Sequence, residues 1–384
     1  MTSWDAAIAG RLERIRNDGR WRSVRTLDGG TPATSISIDG TPVVSFAAND
    51  YLGLSQHRAV IAAAHSELDN AGAGAGAARL IVGGRPIHEQ LEAALAEWKH
   101  TDAALLFPTG YQANIGVLGS LVATAPGCVL ISDELNHASI IDGARLSRAD
   151  VRVVAHRRID AVAAQLDAAR DDGNRPCIVV SDTVFSMDGD LAPVEELSEL
   201  CAARGALLVL DDAHLVDESS GATSLVTPTH VVRVGTLSKM LGSVGGFVAA
   251  TRPIIDLCIN TARSFIFTTA GTPADAAAAL AALQIVRSPE GADLRRRLRD
   301  HIERLAPGHA SPIVPVFVGD EQRAMDLSAA LLERGILVPA IRPPTVAPGT
   351  CRLRIALSAA HSPEQLTQLI DGLADLGAKV AIDG

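Results

Sequence analysis

Short apolar runs alternate with stretches of helical periodicity along most of this 384-residue chain. The runs are four or five residues long and rich in aliphatic side chains, as strands buried on both faces are. They lie at 103–107, 128–132, 151–155, 177–181, 207–210, 231–234 and 247–250. This alternation predicts βαβ units, and therefore an α/β fold with a mostly parallel sheet covered by helices on both faces.

The two ends of the chain depart from this pattern. Residues 1–45 are polar and arginine-rich, and they predict a helix and then a short hairpin around the turn signal Asp39-Gly40. Near the other end, the order strand, helix, strand, strand, helix is predicted at 313–318, 321–334, 336–340, 351–357 and 363–376. We therefore expect an N-terminal arm at 1–45, a large domain at 46–280 and a small C-terminal α/β domain at 281–384.

Composition excludes several classes of function. A formal net charge of −10 and an aromatic content of 3% argue against nucleic-acid binding, which requires a basic face and stacking rings. No apolar run is long enough for a membrane span, and charged residues occupy the place where a signal peptide would have its apolar stretch. The five cysteines are scattered and odd in number, which favours reduced thiols over disulfides or a metal site. We therefore expect a cytoplasmic protein without a bound metal.

Lysine is nearly absent from this chain. It occurs only at Lys99, Lys239 and Lys379, which leaves 31 arginines among the 34 basic residues. A codon bias explains the arginines, but Lys239 stands in a loop of small residues between two apolar strands, where burial would lower its pKa as an amine nucleophile requires. Lys99 closes a predicted helix and Lys379 lies in the C-terminal tail, and we expect both at the surface.

Polar groups follow three other predicted strands, at the sheet edge where α/β proteins bind ligands. Strand 207–210 runs into Asp211, Asp212 and His214, where a buried carboxylate needs a positive partner, unless it only caps a turn. His137 follows another strand, where a purely structural histidine is the alternative.

The third of these strand ends, residues 106–114, is a strand, a glycine turn and a helix start, an arrangement that presents backbone N–H groups to a phosphate. Together, these strand ends offer a lysine, an acid, two histidines and a phosphate site, which is the set that pyridoxal phosphate needs.

The motifs around these residues are similar to those of the α-oxoamine synthase family of pyridoxal-phosphate enzymes. The resemblance covers nearly the whole chain, through the stretches 49–54, 107–114, 136–145, 185–190, 211–214, 236–239 and 352–357. It implies the fold-type I, aspartate aminotransferase-like fold of a pyridoxal-phosphate-dependent transferase, and a homodimer with active sites at the subunit interface.

The resemblance also implies roles for individual residues. Lys239 would form a Schiff base with the cofactor, Asp211 would pair with the pyridine nitrogen, and His214 would bond the phenolic oxygen. His137 would stack on the ring, and Ser186 would line it.

The phosphate and the substrate have their own implied residues. The phosphate ligands would be the Gly110 and Tyr111 amides and the Thr236 hydroxyl, with Thr268 reaching the phosphate of the neighbouring subunit. Arg354 would bind the substrate carboxylate, although a surface arginine is the plain alternative. The remaining substrate-binding residues would be Asn49 and Arg22.

The implied reaction is an acyl transfer with loss of carbon dioxide. Within the family, the resemblance implies the condensation of L-alanine with a pimeloyl thioester of coenzyme A or of an acyl carrier protein, as in biotin synthesis, with Lys239, His137 and Asp211 as catalytic residues. The alternative is a glycine C-acetyltransferase or another α-oxoamine synthase. From other classes, a non-catalytic partner subunit would lack Lys239, and a nicotinamide-binding protein would need a glycine motif after its first strand. The positions Ala78, Leu215 and 270–273 depart from the family's usual residues.

Overall fold

The computed structural model describes residues 3–28, 33–216 and 230–380. The helices of these ranges are α1 (Ser3–Asn17), α2 (Arg58–Ala71), α3 (Pro86–Trp98), α4 (Gly110–Thr124), α5 (Ala138–Ser147), α6 (Ile159–Asp171), α7 (Val194–Arg204), α8 (Arg252–Thr261), α9 (Arg263–Ile266), α10 (Pro273–Val286), α11 (Pro289–Leu305), α12 (Glu321–Glu333) and α13 (Pro363–Asp375). The strands are β1 (Ser35–Ile38), β2 (Thr41–Ser45), β3 (Ala103–Phe107), β4 (Val129–Asp133), β5 (Asp150–Val154), β6 (Cys177–Asp182), β7 (Leu207–Asp211), β8 (Val231–Thr236), β9 (Gly246–Ala250), β10 (Ile313–Gly319), β11 (Ile336–Leu337), β12 (Ala340–Ile341) and β13 (Cys351–Ala356).

The central sheet has seven strands in the order β3-β9-β8-β7-β6-β4-β5. Strands β8, β7, β6, β4 and β5 pair in parallel, as the alternation predicted. Strand β9 is antiparallel to both of its neighbours, β3 and β8. Because β8 and β9 are adjacent and antiparallel, the short loop between them, which carries Lys239, stays at the carboxyl end of β8.

Both faces of this sheet are covered, because successive side chains of a strand point to opposite sides. On β3, Leu106 packs in one apolar cluster with Leu91 of α3, whereas Leu105 packs in another with Val117 of α4. This two-sided burial explains why the strands read as continuous apolar runs. The carboxyl ends of the parallel strands meet at one edge, where the polar residues lie.

Two smaller sheets flank the central one, with the orders β1-β2-β11 and β10-β13-β12. The hairpin expected in the N-terminal arm forms, and β2 pairs in parallel with β11, which comes from the C-terminal part of the chain. The prediction of a single strand at 336–340 is wrong. The chain crosses between the two small sheets there, so that β11 pairs with β2 and the separate strand β12 pairs with β13.

Within the described ranges, no helix combines the length and the apolar character needed to cross a bilayer.

Candidate active site

Lys239 lies in the loop after β8, half-buried among charged groups. Burial lowers the pKa of Lys239, and the neighbouring positive charge of Arg354 lowers it further, while the carboxylates of Asp211 and Asp182 oppose this shift. The pKa therefore moves in the direction predicted from the sequence. A lysine of lowered pKa keeps a larger share of its amine unprotonated, and only that form is a nucleophile or a base.

Asp211 ends β7 and is buried. Its Oδ1 accepts a hydrogen bond from the Ala213 amide at 2.9 Å, and its Oδ2 accepts one from Asn114 Nδ2 at 2.7 Å. Asn114 also donates to Ser139 Oγ at 2.9 Å, while its own buried Oδ1 has no hydrogen-bond partner. Neutral donors from α4 and from the strand end thus hold this carboxylate, and no described cation lies at ion-pair distance from it.

Asp182 lies beside Asp211, because β6 and β7 pair these two residues in register. Burial and the nearby Asp211 carboxylate both raise the pKa of Asp182. Its Oδ2 accepts a hydrogen bond from the His137 amide at 2.8 Å, and the His137 ring in turn caps α5 by accepting from the Ser139 amide. The fold therefore fixes the backbone of His137 at the sheet edge and leaves its side chain exposed.

His214 follows β7 by three residues and is buried. Its Nδ1 lies 2.6 Å from the hydroxyl of Tyr51, a contact across 163 residues of sequence. Burial, together with the positive charge of Lys239, lowers the pKa of His214, so that the ring is neutral at pH 7. The structure thus places His214 and Lys239 close enough for their charges to interact.

The first turn of α4 provides a site for an anion. The amides of Gly110 and Tyr111 are among the first four of the helix and have no acceptor within it. A Cβ at Gly110 would lie 3.4 Å from the Thr236 side chain, and one at Gly246 would lie 2.4 Å from the Gly110 nitrogen. The glycines therefore let this helix end approach the ends of β8 and β9 closely.

Arg354 lies on β13 and is buried, which excludes the surface alternative. Its Nε donates to the Ser186 carbonyl at 2.5 Å, and its Nη2 donates to Asn49 Oδ1 at 3.2 Å. The Arg354 guanidinium thus joins Ser186 and Asn49, two residues that the resemblance had linked to the cofactor and the substrate.

Three other predicted residues lie less centrally. Thr268 is near the start of α4, where Gln112 Nε2 donates to its hydroxyl at 3.3 Å. Tyr111 is exposed, and its hydroxyl donates to Asp142. Arg22 is exposed after α1, and no hydrogen bond or ion pair between described residues joins it to the other predicted site residues.

The prediction that Lys99 is a surface residue is wrong. Its side chain is buried against the sheet and forms an ion pair with Asp212 at 3.3 Å, while the ammonium lies 4.0 Å from the centre of the Trp98 ring. Asp212 also pairs with Arg233 at 2.7 Å. The end of α3 packs against the sheet, which places this side chain beside the Asp212 carboxylate.

The positions that depart from the family pattern are partly in contact with one another. The amide of Ala270 donates to the carbonyl of Ala77, next to Ala78, at 3.0 Å. Leu215 is buried and packs against Val184. Ala78 and residues 270–273 therefore belong to one local structure. Leu215 lies elsewhere, in a small apolar cluster with Val184.

Three residues that contact the predicted site residues were not predicted from the sequence: Tyr51, Asn114 and Asp182. Tyr51 and Asn114 both stand in stretches that carried the resemblance, but nothing local shows what they touch. Asp182 ends a predicted strand, and a consistent inspection of strand ends would have found it.

The residues present fit pyridoxal phosphate. They supply a half-buried lysine of lowered pKa, a carboxylate held by neutral donors, a neutral histidine, and a helix N-terminus that glycines let approach a phosphate closely. The orphaned Asn114 Oδ1 lies within the same buried network and indicates a polar site.

Comparison with known proteins agrees with this chemistry. The family model of aminotransferase class I and II matches residues 41–373. An 8-amino-7-oxononanoate synthase of Pelobacter propionicus is 42% identical over 97% of this chain and 98% of its own length. One from a Methylobacterium strain is 45% identical over 98% of both chains.

Solved structures give the same fold. A serine palmitoyltransferase of S. paucimobilis superposes with a TM-score of 0.88 at 27% identity, over 98% of each chain. An 8-amino-7-oxononanoate synthase of Francisella tularensis superposes with a TM-score of 0.70 at 25% identity, over 87% of this chain and 97% of its own. The chain therefore belongs to the aminotransferase class I and II family and, within it, to the α-oxoamine synthases, which are pyridoxal-phosphate-dependent acyltransferases.

Proposed function

We propose that this protein condenses L-alanine with a pimeloyl thioester to give 8-amino-7-oxononanoate, carbon dioxide and the free thiol carrier, a reaction of biotin synthesis. The main support is near-full-length identity of 42% to a relative that bears the name 8-amino-7-oxononanoate synthase. The serine palmitoyltransferases have the higher TM-scores but only about 27% identity, so that fold similarity alone does not choose the substrate.

Lys239 and Asp211 are the proposed centre of the chemistry. When bound, pyridoxal phosphate withdraws electrons from the Cα of the amino acid and so stabilises negative charge there. Lys239 Nζ would hold the cofactor and remove the Cα proton of alanine, for which its lowered pKa suits it. Asp211 would hold the proton of the pyridine nitrogen, and His214 would donate to the phenolic oxygen.

Other residues would position the cofactor and the substrate. His137 would lie against the cofactor ring, and Ser186 would line it. The phosphate would be held by the Gly110 and Tyr111 amides and the Thr236 hydroxyl.

Arg354 would bind the carboxylate of alanine, with Asn49 beside it and Arg22 as a further substrate residue. Its burial supports this role, because a buried guanidinium favours a carboxylate partner over water.

We further propose a cytoplasmic homodimer in which Thr268 reaches the phosphate bound to the partner subunit. The five cysteines are free thiols, as is usual in a reducing compartment. We also propose the division into an arm at 1–45, a large domain at 46–280 and a small domain at 281–384.

The test is to supply the cofactor-loaded protein with amino acids and thioesters in separate combinations. We expect L-alanine to change the visible spectrum of the bound cofactor, and L-alanine with pimeloyl-coenzyme A to give 8-amino-7-oxononanoate by mass spectrometry. Pimeloyl thioester on acyl carrier protein is the second donor to compare. Product from glycine and acetyl-coenzyme A, with none from alanine, would replace this function with that of a glycine C-acetyltransferase.

A further inference from the structure

We propose that Tyr51 is a positioning residue for this reaction, whose hydroxyl keeps the ring proton of His214 on Nε2. This inference rests on the proposed function, because it takes the phenolic oxygen of the cofactor as the partner of that proton. The observation behind it is the buried contact between the Tyr51 hydroxyl and His214 Nδ1, with Asn49 between Tyr51 and Arg354.

The Tyr51 hydroxyl lies between two polar side chains. The tyrosine is fully buried, and its hydroxyl lies 2.6 Å from His214 Nδ1 and 3.2 Å from Asn49 Oδ1. Asn49 Oδ1 in turn accepts a hydrogen bond from Arg354 Nη2 at 3.2 Å. Both Asn49 and Arg354 belong to the proposed substrate site, so that Tyr51 connects that site to His214.

The donors and acceptors around this hydroxyl can be assigned. The Tyr51 hydroxyl has one proton to donate, and His214 Nδ1 and Asn49 Oδ1 are the two acceptors near it. The His214 distance is shorter by 0.6 Å, and Asn49 Oδ1 already accepts from Arg354 Nη2. We therefore assign the Tyr51 proton to the shorter contact, so that His214 Nδ1 carries the lone pair.

The protonation states are consistent with this assignment. Burial raises the pKa of Tyr51 well above its ordinary value, although Arg354 opposes the shift, so that the phenol keeps its proton. Burial lowers the pKa of His214, so that the ring holds one proton. With Nδ1 occupied as an acceptor, that proton is on Nε2, which makes no hydrogen bond to a described residue and can donate to a ligand.

The consequence is a directed donor in the active site. Without the Tyr51 hydroxyl, the neutral ring of His214 could place its proton on either nitrogen, and in one of the two tautomers Nε2 would accept instead of donate. A phenolic oxygen that carries negative charge needs the donor form.

The experiment uses the cofactor-loaded protein with ¹⁵N-labelled histidine. The signal of His214, one of 11 histidines, is identified by its loss in His214→Asn. We expect long-range ¹H–¹⁵N spectra to show His214 protonated on Nε2 in the parent protein, and a mixture of tautomers in Tyr51→Phe. We also expect the pH midpoint of the cofactor's visible absorption to rise by about half a unit or more in Tyr51→Phe, because a hydrogen bond to a charged oxygen is lost.

Ser358→Ala is the matched control. It removes another buried hydroxyl of the same neighbourhood, which donates to the Asp50 carbonyl at 2.6 Å but does not touch His214. We expect neither the tautomer nor the absorption midpoint to change. Equal changes in both variants would overturn the proposal and leave Tyr51 a packing residue.

The parent spectrum is decisive even where Tyr51→Phe does not fold. A parent His214 protonated on Nδ1 would overturn the proposal directly. Neither readout requires turnover, so the failure of L-alanine and pimeloyl thioester as substrates would contradict the proposed function and leave the tautomer result unaffected.

Discussion

Asp211 and Asp212 are neighbours in sequence, but they lie in two contrasting environments at the end of β7. Asp212 is fully enclosed, with Arg233 at 2.7 Å, Lys99 at 3.3 Å and the Thr183 hydroxyl at 2.7 Å. Asp211 is held by an amide side chain and a backbone N–H. The two carboxylates point to opposite sides because side chains alternate along a strand.

The comparison distinguishes a carboxylate whose charge is neutralised within the fold, Asp212, from one at the proposed active site, Asp211. The partners of Asp212 are themselves buried, and the Arg233 and Lys99 charges lower the pKa of Asp212 despite the opposing effect of burial. Both of its oxygens have buried partners within the fold. The Asp211 charge instead acts on the pKa of Lys239, and the two groups form no ion pair. Lys239 lies near Asp211, and Lys99 pairs with Asp212. We therefore expect a change at Lys239 to affect activity and a change at Lys99 to affect stability.

Lys239→Ala should have the largest effect, on activity. We expect the visible absorption of bound cofactor to disappear and turnover to fall by at least about 10³-fold, because both the covalent attachment and the base are removed. The free energy of unfolding in urea should change little. Borohydride reduction of the parent protein should attach the cofactor to only one of its three lysines.

Lys379→Ala is the control for this change, because Lys379 is an exposed lysine of the tail. It should keep the parent spectrum and turnover. Retention of the visible band in Lys239→Ala would refute the assignment of Lys239. Borohydride labelling of Lys99 would mean that Lys99, and not Lys239, holds the cofactor.

Lys99→Met should act on stability instead. It keeps most of the apolar stem but removes one of the two cations that neutralise buried Asp212, which should lower the free energy of unfolding by about 2–4 kcal/mol. Turnover per cofactor-loaded site should stay within about twofold of the parent. Lys99→Arg, which keeps the charge, should lose less stability.

The outcome that breaks the comparison is a Lys99→Met protein of parent stability that cannot bind the cofactor. Lys99 would then belong to the functional site rather than to the structural one.

His156 forms a second charged cluster, which is only partly buried, and gives a smaller, pH-dependent effect. Its ring lies 3.0 Å from Asp133 and 2.8 Å from Asp190. Burial alone would lower its pKa, but the hydrogen bonds to the two carboxylates outweigh it and raise the pKa of His156 to about 9. The stabilisation is therefore complete below the unfolded value of 6.5 and is lost as the pH rises from there through about 9.

His156→Gln should reduce the free energy of unfolding by about 2 kcal/mol at pH 6, with the difference shrinking toward pH 9.5. Urea unfolding at several pH values measures this. His65→Gln, at an exposed position, should give no such pH-dependent difference. A constant deficit for His156→Gln at every pH would mean that shape, and not charge, holds this cluster.

Much of this protein could be predicted from local sequence. The strands of the central sheet are apolar runs buried on both faces, and such runs are recognisable without knowledge of their neighbours. The split of 336–340 into β11 and β12 was not predictable, because pairing with β2 on one side and β13 on the other decides it.

The sequence by itself determined the fold class, the strand ends that carry polar groups, and Lys239 as a lysine in a loop of small residues. It could not distinguish the environments of Asp211 and Asp212, nor show that Lys99 is buried. It also gave no sign that Tyr51 meets His214. Those facts depend on which helix covers which face of the sheet and on contacts between residues far apart in the chain. Burial and charge pairing, which set the pKa and the role of each group, exist only once the tertiary structure has formed.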